Sequence, residues 1–178
     1  MGVVLRCLHI AQDEAVMKLR RLWWLGLWTV FFAPLCLAAA PDIVLRDLDG
    51  KPRNVNEIIG HGRWVVVAVW AHDCVYCARD IHEMSEFHSA HRGGEAEVLG
   101  VSIDGMDKIK LAREFVAKHK LPFLNLVAEP RQDVMTRFGA GRFSGTPTYY
   151  VYSPQGEIVG QNVGPLTRAE VEEFIASE

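Results

Sequence analysis

The chain has 178 residues, 49% of them hydrophobic and 23% charged, which suits one globular domain with a full core and excludes a disordered segment. Its formal net charge is −3, and the first 40 residues hold Arg6, Lys18, Arg20 and Arg21 against only Asp13 and Glu14. That leaves 15 basic and 20 acidic residues in the remainder, a balance that argues against a nucleic-acid surface.

The first feature along the chain is a leader. From Met17, MKLRRLWWLGLWTVFFAPLCLAAAPD runs from a short basic stretch into an uncharged apolar run beginning at Leu22, and closes on small residues at Ala38 to Ala40. Aromatic-rich turns with no polar face beside a cationic cluster read as an export signal rather than a core helix. The run is also long enough to cross a bilayer as an anchor, and Pro41 is a poor residue just after a cut at Ala40. Cys36 has no lipobox before it, since Pro34 and Leu35 stand where small residues belong. Residues 1–16 resemble neither signal nor domain, which makes Met17 a candidate start. The expected division is a leader over 1–40, cleaved or kept as a membrane anchor, and one domain over 41–178.

Within that domain, Trp64 to Trp70 is a nearly continuous β-branched run, the mark of a central strand buried on both faces. After it comes WAHDCVYC, and from Val75 onward Ile81, Met84, Phe87 and His88 recur at helical spacing. Glu97 to Ile103 reads as a second buried strand. Asp104 and Asp107 offer capping chemistry for a helix carrying Leu111 and Phe115, which stops at Leu121-Pro122. Phe123 to Val127 is another strand, and Asp133 to Phe138 a short helix closed by Gly139. Thr148 to Tyr152 and Glu157 to Asn162 form a hairpin through Pro154 and Gly156. Thr167 and Glu170 make a capping box for a last helix with Val171, Phe174 and Ile175 inward. This order predicts an α/β fold, a central mixed sheet with helices on both faces.

Cys74 and Cys77 are the thiols of the expected exported domain, and export puts them where disulfides persist. A structural staple closing so small a loop would remove little chain entropy. A zinc site would need two more ligands; His72 and His82 are nearest, but His82 lies five positions past Cys77, about 140° round a helix. Redox chemistry leads, with metal binding and coincidence as the alternatives. Cys74 would sit at a helix N-terminus, where unpaired N–H groups and the helix dipole favour a thiolate. Cys77, one turn in, would be shielded and placed to attack a mixed disulfide, giving an attacking and a resolving thiol.

The strand, the WAxxCxxC sequence, the helix, and Gly145-Thr146-Pro147 entering a hairpin together resemble the thioredoxin superfamily. An additional helix and strand before Pro147, and the opening PDIVLRDLDGKPRNVNEIIG as an N-terminal β-hairpin extension, resemble its exported TlpA/ResA branch, of AhpC/TSA-redoxin type. The resemblance covers nearly everything from Pro41 onward. It implies a thioredoxin-like fold, a thiol-disulfide oxidoreductase outside the cytoplasm, a cis Pro147, and a Thr146 backbone offered to an incoming peptide beside Cys74. It also implies cysteine-containing protein substrates, a membrane thiol-disulfide electron donor, and no cofactor beyond the Cys74–Cys77 disulfide. Trp70 resembles the family's active-site tryptophan, with a core aromatic as the alternative, and Tyr76 is either a substrate contact or simply exposed.

Some positions depart from the branch. Glu three residues after the second cysteine and Pro two further on are replaced by Asp80 and His82. Asp80 is the candidate for managing the proton of Cys77, or else a solvated helix acid. Asp73 stands where Trp is common; its carboxylate would raise the pKa of Cys74, whereas a protonated His72 would lower it, so the net shift has no sign from sequence. A peroxiredoxin would show Pro-x-x-x-Thr-x-x-Cys, but Val67 and Ala71 occupy those places before Cys74. The leading function is disulfide reduction, with cytochrome c maturation as one destination. The rivals are a disulfide oxidase or isomerase, for which the domain leaves little room for the expected insertion, and a metal- or partner-binding module.

Overall fold

The computed structural model describes residues 40–130, 132–139 and 141–178. The leader reading falls, apart from Ala40, outside the described residues.

The domain opens with a hairpin of β1 (Val44–Asp47) and β2 (Pro52–Asn54). Its turn is the DLDGK stretch: Asp47 Oδ1 accepts the backbone N–H of Asp49 and of Lys51, each at 2.9 Å, and Gly50 takes a left-handed φ of 82°. A single 3₁₀ turn, Val55–Glu57, follows behind a capping box of Asn54 and Glu57.

Strand β3 (Trp64–Trp70) occupies the interior of the sheet. Val65, Val67 and Val69 enter one core, while Val66, Ala68 and Trp70 enter the other. Two-sided burial explains why the run is continuously apolar rather than alternating. Helix α1 (Val75–His91) buries Cys77, Ile81, Met84, Phe87 and His88, the face predicted from spacing. Strand β4 (Ala96–Ser102) lies parallel to β3, in register from Trp64↔Ala96 to Trp70↔Ser102.

A 3₁₀ turn (Met106–Lys108) and helix α2 (Ile109–His119) come next. Here the capping expectation fails. Gly105 holds the cap position of the 3₁₀ turn and no side chain caps either element; Asp104 turns inward, 8% exposed. Leu111 also departs, lying 38% exposed while Ala112 and Phe115 are buried. Helical spacing from Ala112 and Phe115 continues through Val116, so the inward stripe runs one residue later than Leu111.

Strand β5 (Leu124–Val127) pairs parallel with β4 and antiparallel with β1. Helix α3 (Gln132–Thr136) ends earlier than the expected Phe138, which sits in the following turn yet stays buried. The hairpin of β6 (Thr148–Tyr152) and β7 (Ile158–Val163) carries a bulge at Val151/Tyr152, and α4 (Arg168–Ser177) starts at the predicted Thr167/Glu170 capping box. Val171 of α4 is buried, with Ile175 packed beside it.

The seven strands run β2-β1-β5-β4-β3-β6-β7. One face is packed by residues of α1, α2 and α4. The other is packed by Ile43, Leu45, Val55 and Ile59 of the N-terminal segment, with Met135, Phe138 and Phe143. Helices thus lie on both faces, but unequally. Among the described residues no helix is long and apolar enough to cross a membrane.

Candidate active site

Strand β3 ends at Trp70, and a tight turn carries the chain into α1, closed by the Cys74 N–H donating to Ala71 O at 3.2 Å. Cys74 is the N-cap of the helix, with extended φ −78° and ψ 106°. Its Sγ accepts the N–H of Cys77 at 3.1 Å, so sulfur fills the place that a Ser or Asp oxygen fills at other helix starts. Cys74 and Cys77 are joined as a disulfide, with Cα atoms 5.2 Å apart. Cys77 is completely buried under the sheet, whereas Cys74 is half-buried and flanked by Val75 and Tyr76, 78% and 57% exposed.

Register brings the second half of the site here. Strand β6 pairs antiparallel with β3, Thr148 opposite Val69. Extending that register sets Pro147 beside Trp70 and Thr146 beside Ala71, at the sheet end from which Cys74 emerges. The Thr146-Pro147 bond is cis, and Thr148 Oγ1 donates to Gly145 O at 2.6 Å, tying down the entry to the strand.

Trp70 was placed at the substrate face by resemblance, and the structure places it elsewhere. It is 0% exposed, stacks on Phe115 with ring centroids 4.4 Å apart, and donates its indole N–H to Asn125 Oδ1 at 3.2 Å. A side chain with no accessible surface contacts no substrate; Trp70 is the core aromatic of the alternative reading. Tyr76 is exposed, with the Arg79 guanidinium 5.1 Å from its ring centre.

Asp80 sits three residues past Cys77. Arg79 donates from Nε at 2.6 Å and from Nη2 at 2.7 Å to its two oxygens. This guanidinium holds the Asp80 carboxyl below its usual range. A carboxylate so held is a weaker base than a free one, which works against accepting a thiol proton. Nearby, burial together with the charges of Asp80 and Glu83 pushes the Tyr149 phenol up to about 12, and its buried hydroxyl has no hydrogen-bond partner among the described residues.

The sequence reading missed a cluster built on His72, two residues before Cys74. Asp104, at the end of β4, accepts the His72 backbone N–H at 3.0 Å, His72 Nδ1 at 2.5 Å and Ser102 Oγ at 2.6 Å. Asp73 joins these two: ligand-capable atoms of His72, Asp73 and Asp104 all lie within 4.8 Å of one another. With three donors already on Asp104, the cluster is a hydrogen-bonded latch in the form described. His82, the other histidine weighed as a ligand, is turned to its own helix, Nδ1 donating to Arg79 O at 2.9 Å.

Residues 37–161 match the AhpC/TSA family. The chain belongs to the AhpC/TSA family. Thiol-disulfide oxidoreductase ResA of Geobacillus thermodenitrificans is 25% identical over 140 residues, covering 79% of this chain and 76% of that protein. Sporulation thiol-disulfide oxidoreductase A of Bacillus subtilis is 20% identical over 138 residues, 76% of this chain and 79% of that one. Among solved structures, a thiol:disulfide interchange protein of the thioredoxin family from Chlorobium tepidum superposes with a TM-score of 0.66 at 20% identity, covering 78% of this chain and 94% of the other. The fold is therefore thioredoxin-like, and this AhpC/TSA member is a thiol-disulfide oxidoreductase.

Proposed function

We propose that the chain reduces protein disulfides outside the cytoplasm, Cys74 attacking and Cys77 resolving. The observation that carries this is the asymmetry of the pair: Cys74 Sγ lies at a helix N-terminus on an exposed rim and accepts a backbone N–H, while Cys77 is sealed beneath it. Those surroundings favour the Cys74 thiolate over its thiol and restrict attack by substrate to that sulfur.

In the reductive direction, the Cys74 thiolate attacks one sulfur of a substrate disulfide. The S–S bond breaks, a mixed disulfide forms, and the other substrate sulfur leaves as a thiolate that takes up a proton. Cys77, deprotonated, then attacks Cys74 Sγ, releasing the second substrate thiol and closing the Cys74–Cys77 disulfide. Two electrons pass from the dithiol to the substrate. The Thr146 backbone beside the cis Pro147 is where an extended substrate segment would pair, and the exposed Tyr76 is a candidate contact for it. No cofactor is required. Electrons would be returned by a membrane thiol-disulfide donor, and the leader over 1–40 supports an extracytoplasmic place, exported or anchored. Maturation of cytochrome c is one task that fits a reductase there.

Turbidity from insulin reduction, with dithiothreitol as electron source, tests the reading. The full chain should accelerate it and Cys74→Ser should abolish the acceleration. No acceleration by a chain whose own disulfide is being reduced would contradict it.

A further inference from the structure

Asp104 grips His72 twice, by backbone and by ring, and it does so from inside the protein: the Asp104 side chain is 3% exposed and that of His72 21%. Ser102, itself fully buried, donates to the same carboxylate, and its Oγ accepts the N–H of Asp104 at 3.2 Å. An ionised carboxylate only accepts, so Nδ1 of His72 carries a proton in either charge state of the ring. That fixes the tautomer. Nε2, on the far edge, is left to take and give a proton and has no partner among the described residues.

His72 occupies the first central position of the four-residue turn from Ala71 that ends at Cys74. A carboxylate behind a histidine, here two residues before the nucleophile in the same turn, resembles the arrangement that activates weakly acidic nucleophiles on unrelated folds. In the disulfide, Cys74 Sγ has no proton to transfer, so the arrangement acts only when the pair is reduced.

We propose that His72, oriented by Asp104, is the proton carrier of the exchange at Cys74. This rests on the reductase reading. Nε2 takes the Cys74 thiol proton, forming a thiolate–imidazolium pair. After Cys74 attacks the substrate disulfide, the imidazolium returns that proton to the departing substrate sulfur, and the ring is neutral again. His72 is the catalytic group; Asp104 is a positioning residue acting through it. The other charged groups around this turn are Asp73, Asp107, Lys108 and Glu129, which with Asp104 line the cavity beside it. They fix the background field in which the pair titrates.

The test is the pH profile of iodoacetamide alkylation at Cys74 in the reduced full chain, read by mass spectrometry of the Cys74 peptide because Cys7 and Cys36 also react. The wild type should show two ionisations. His72→Gln, which can still donate to Asp104 but has no basic nitrogen, should show one, displaced to higher pH, with disulfide reduction at neutral pH slowed about tenfold or more. Asp104→Asn should behave as His72→Gln; if it does not fold, His72→Gln carries the test alone. Superimposable profiles for wild type and His72→Gln would overturn the proposal, even with insulin reduction intact. Two ionisations reduced to one, in a chain that reduces no insulin, would uphold the proton carrier and overturn the reductase reading.

Discussion

The backbone N–H of Cys77 donates to Sγ of Cys74 at 3.1 Å, so the resolving residue stabilises the attacking sulfur before it resolves anything. Because that donor is main chain, it survives side-chain replacement. Cys77→Ser should keep a reactive Cys74 and accumulate mixed disulfides with substrate proteins, visible on non-reducing gels and lost on adding dithiothreitol. Cys74→Ser should accumulate none through Cys77, since that thiol is buried, as mass spectrometry of the Cys77 peptide would show. Equal trapping by both variants would deny the assigned order of attack.

Trp70 belongs to the core, which separates stability from recognition. Trp70→Phe trims the stack on Phe115 and leaves Asn125 Oδ1 without its indole donor. A cost of about 1–3 kcal/mol is expected in urea unfolding. KM for a peptide disulfide should be unchanged in the folded variant. A raised KM at unchanged stability would restore Trp70 to the substrate face.

Much of this was legible from local pattern. The two-sided run of β3, the helix face from Ile81 to His88 and the Thr167/Glu170 box depend on neighbours a few residues apart, which periodicity and capping report directly. The cis Thr146-Pro147 came through resemblance, whereas the CxxC pair was read from its spacing at a strand-to-helix turn. What failed depends on partners far along the chain. Asp104 looks like a helix cap until His72, 32 residues away, is folded against it. Trp70 looks like a site residue until Asn125, 55 residues away, claims its N–H. Leu111 and Ala112 differ by 100° on a helix, and an apolar residue on the wrong side of a stripe boundary is simply exposed.

Gly100 is fixed by that same pairing. A Cβ there would lie 2.1 Å from Asn125 Oδ1 and 2.8 Å from its Cγ, while Asn125 is held by Trp70 and by its own donation to Phe123 O at 2.8 Å. Gly100→Ala must displace Asn125 and break both bonds. Destabilisation of about 2–4 kcal/mol is expected by denaturant titration. A change within ±0.5 kcal/mol would mean that Asn125 is free to move.

His88 makes stability depend on pH. Burial holds its folded pKa below the ordinary 6.5, and its Nδ1 accepts the Val98 N–H at 3.1 Å, which requires that nitrogen to be unprotonated. A depressed folded value means the unfolded chain binds the proton more readily. The contribution is therefore full above pH 6.5 and lost as pH falls from there through the folded value, with a slope of at most about 1.4 kcal/mol per pH unit for one proton. Tm should fall over that window, and His88→Asn, which keeps an acceptor for Val98 but does not titrate, should flatten the fall. An unchanged slope in His88→Asn would assign the effect elsewhere.

The central claim is that this dithiol gives electrons to substrates. The most direct measurement is the oxidation state of Cys74 and Cys77 in the native host, trapped with acid and counted with a mass-tagging thiol reagent. A mostly reduced pair is predicted, because a working reductase is kept charged by its donor. A mostly closed disulfide at steady state would contradict the reductase and point to an oxidant.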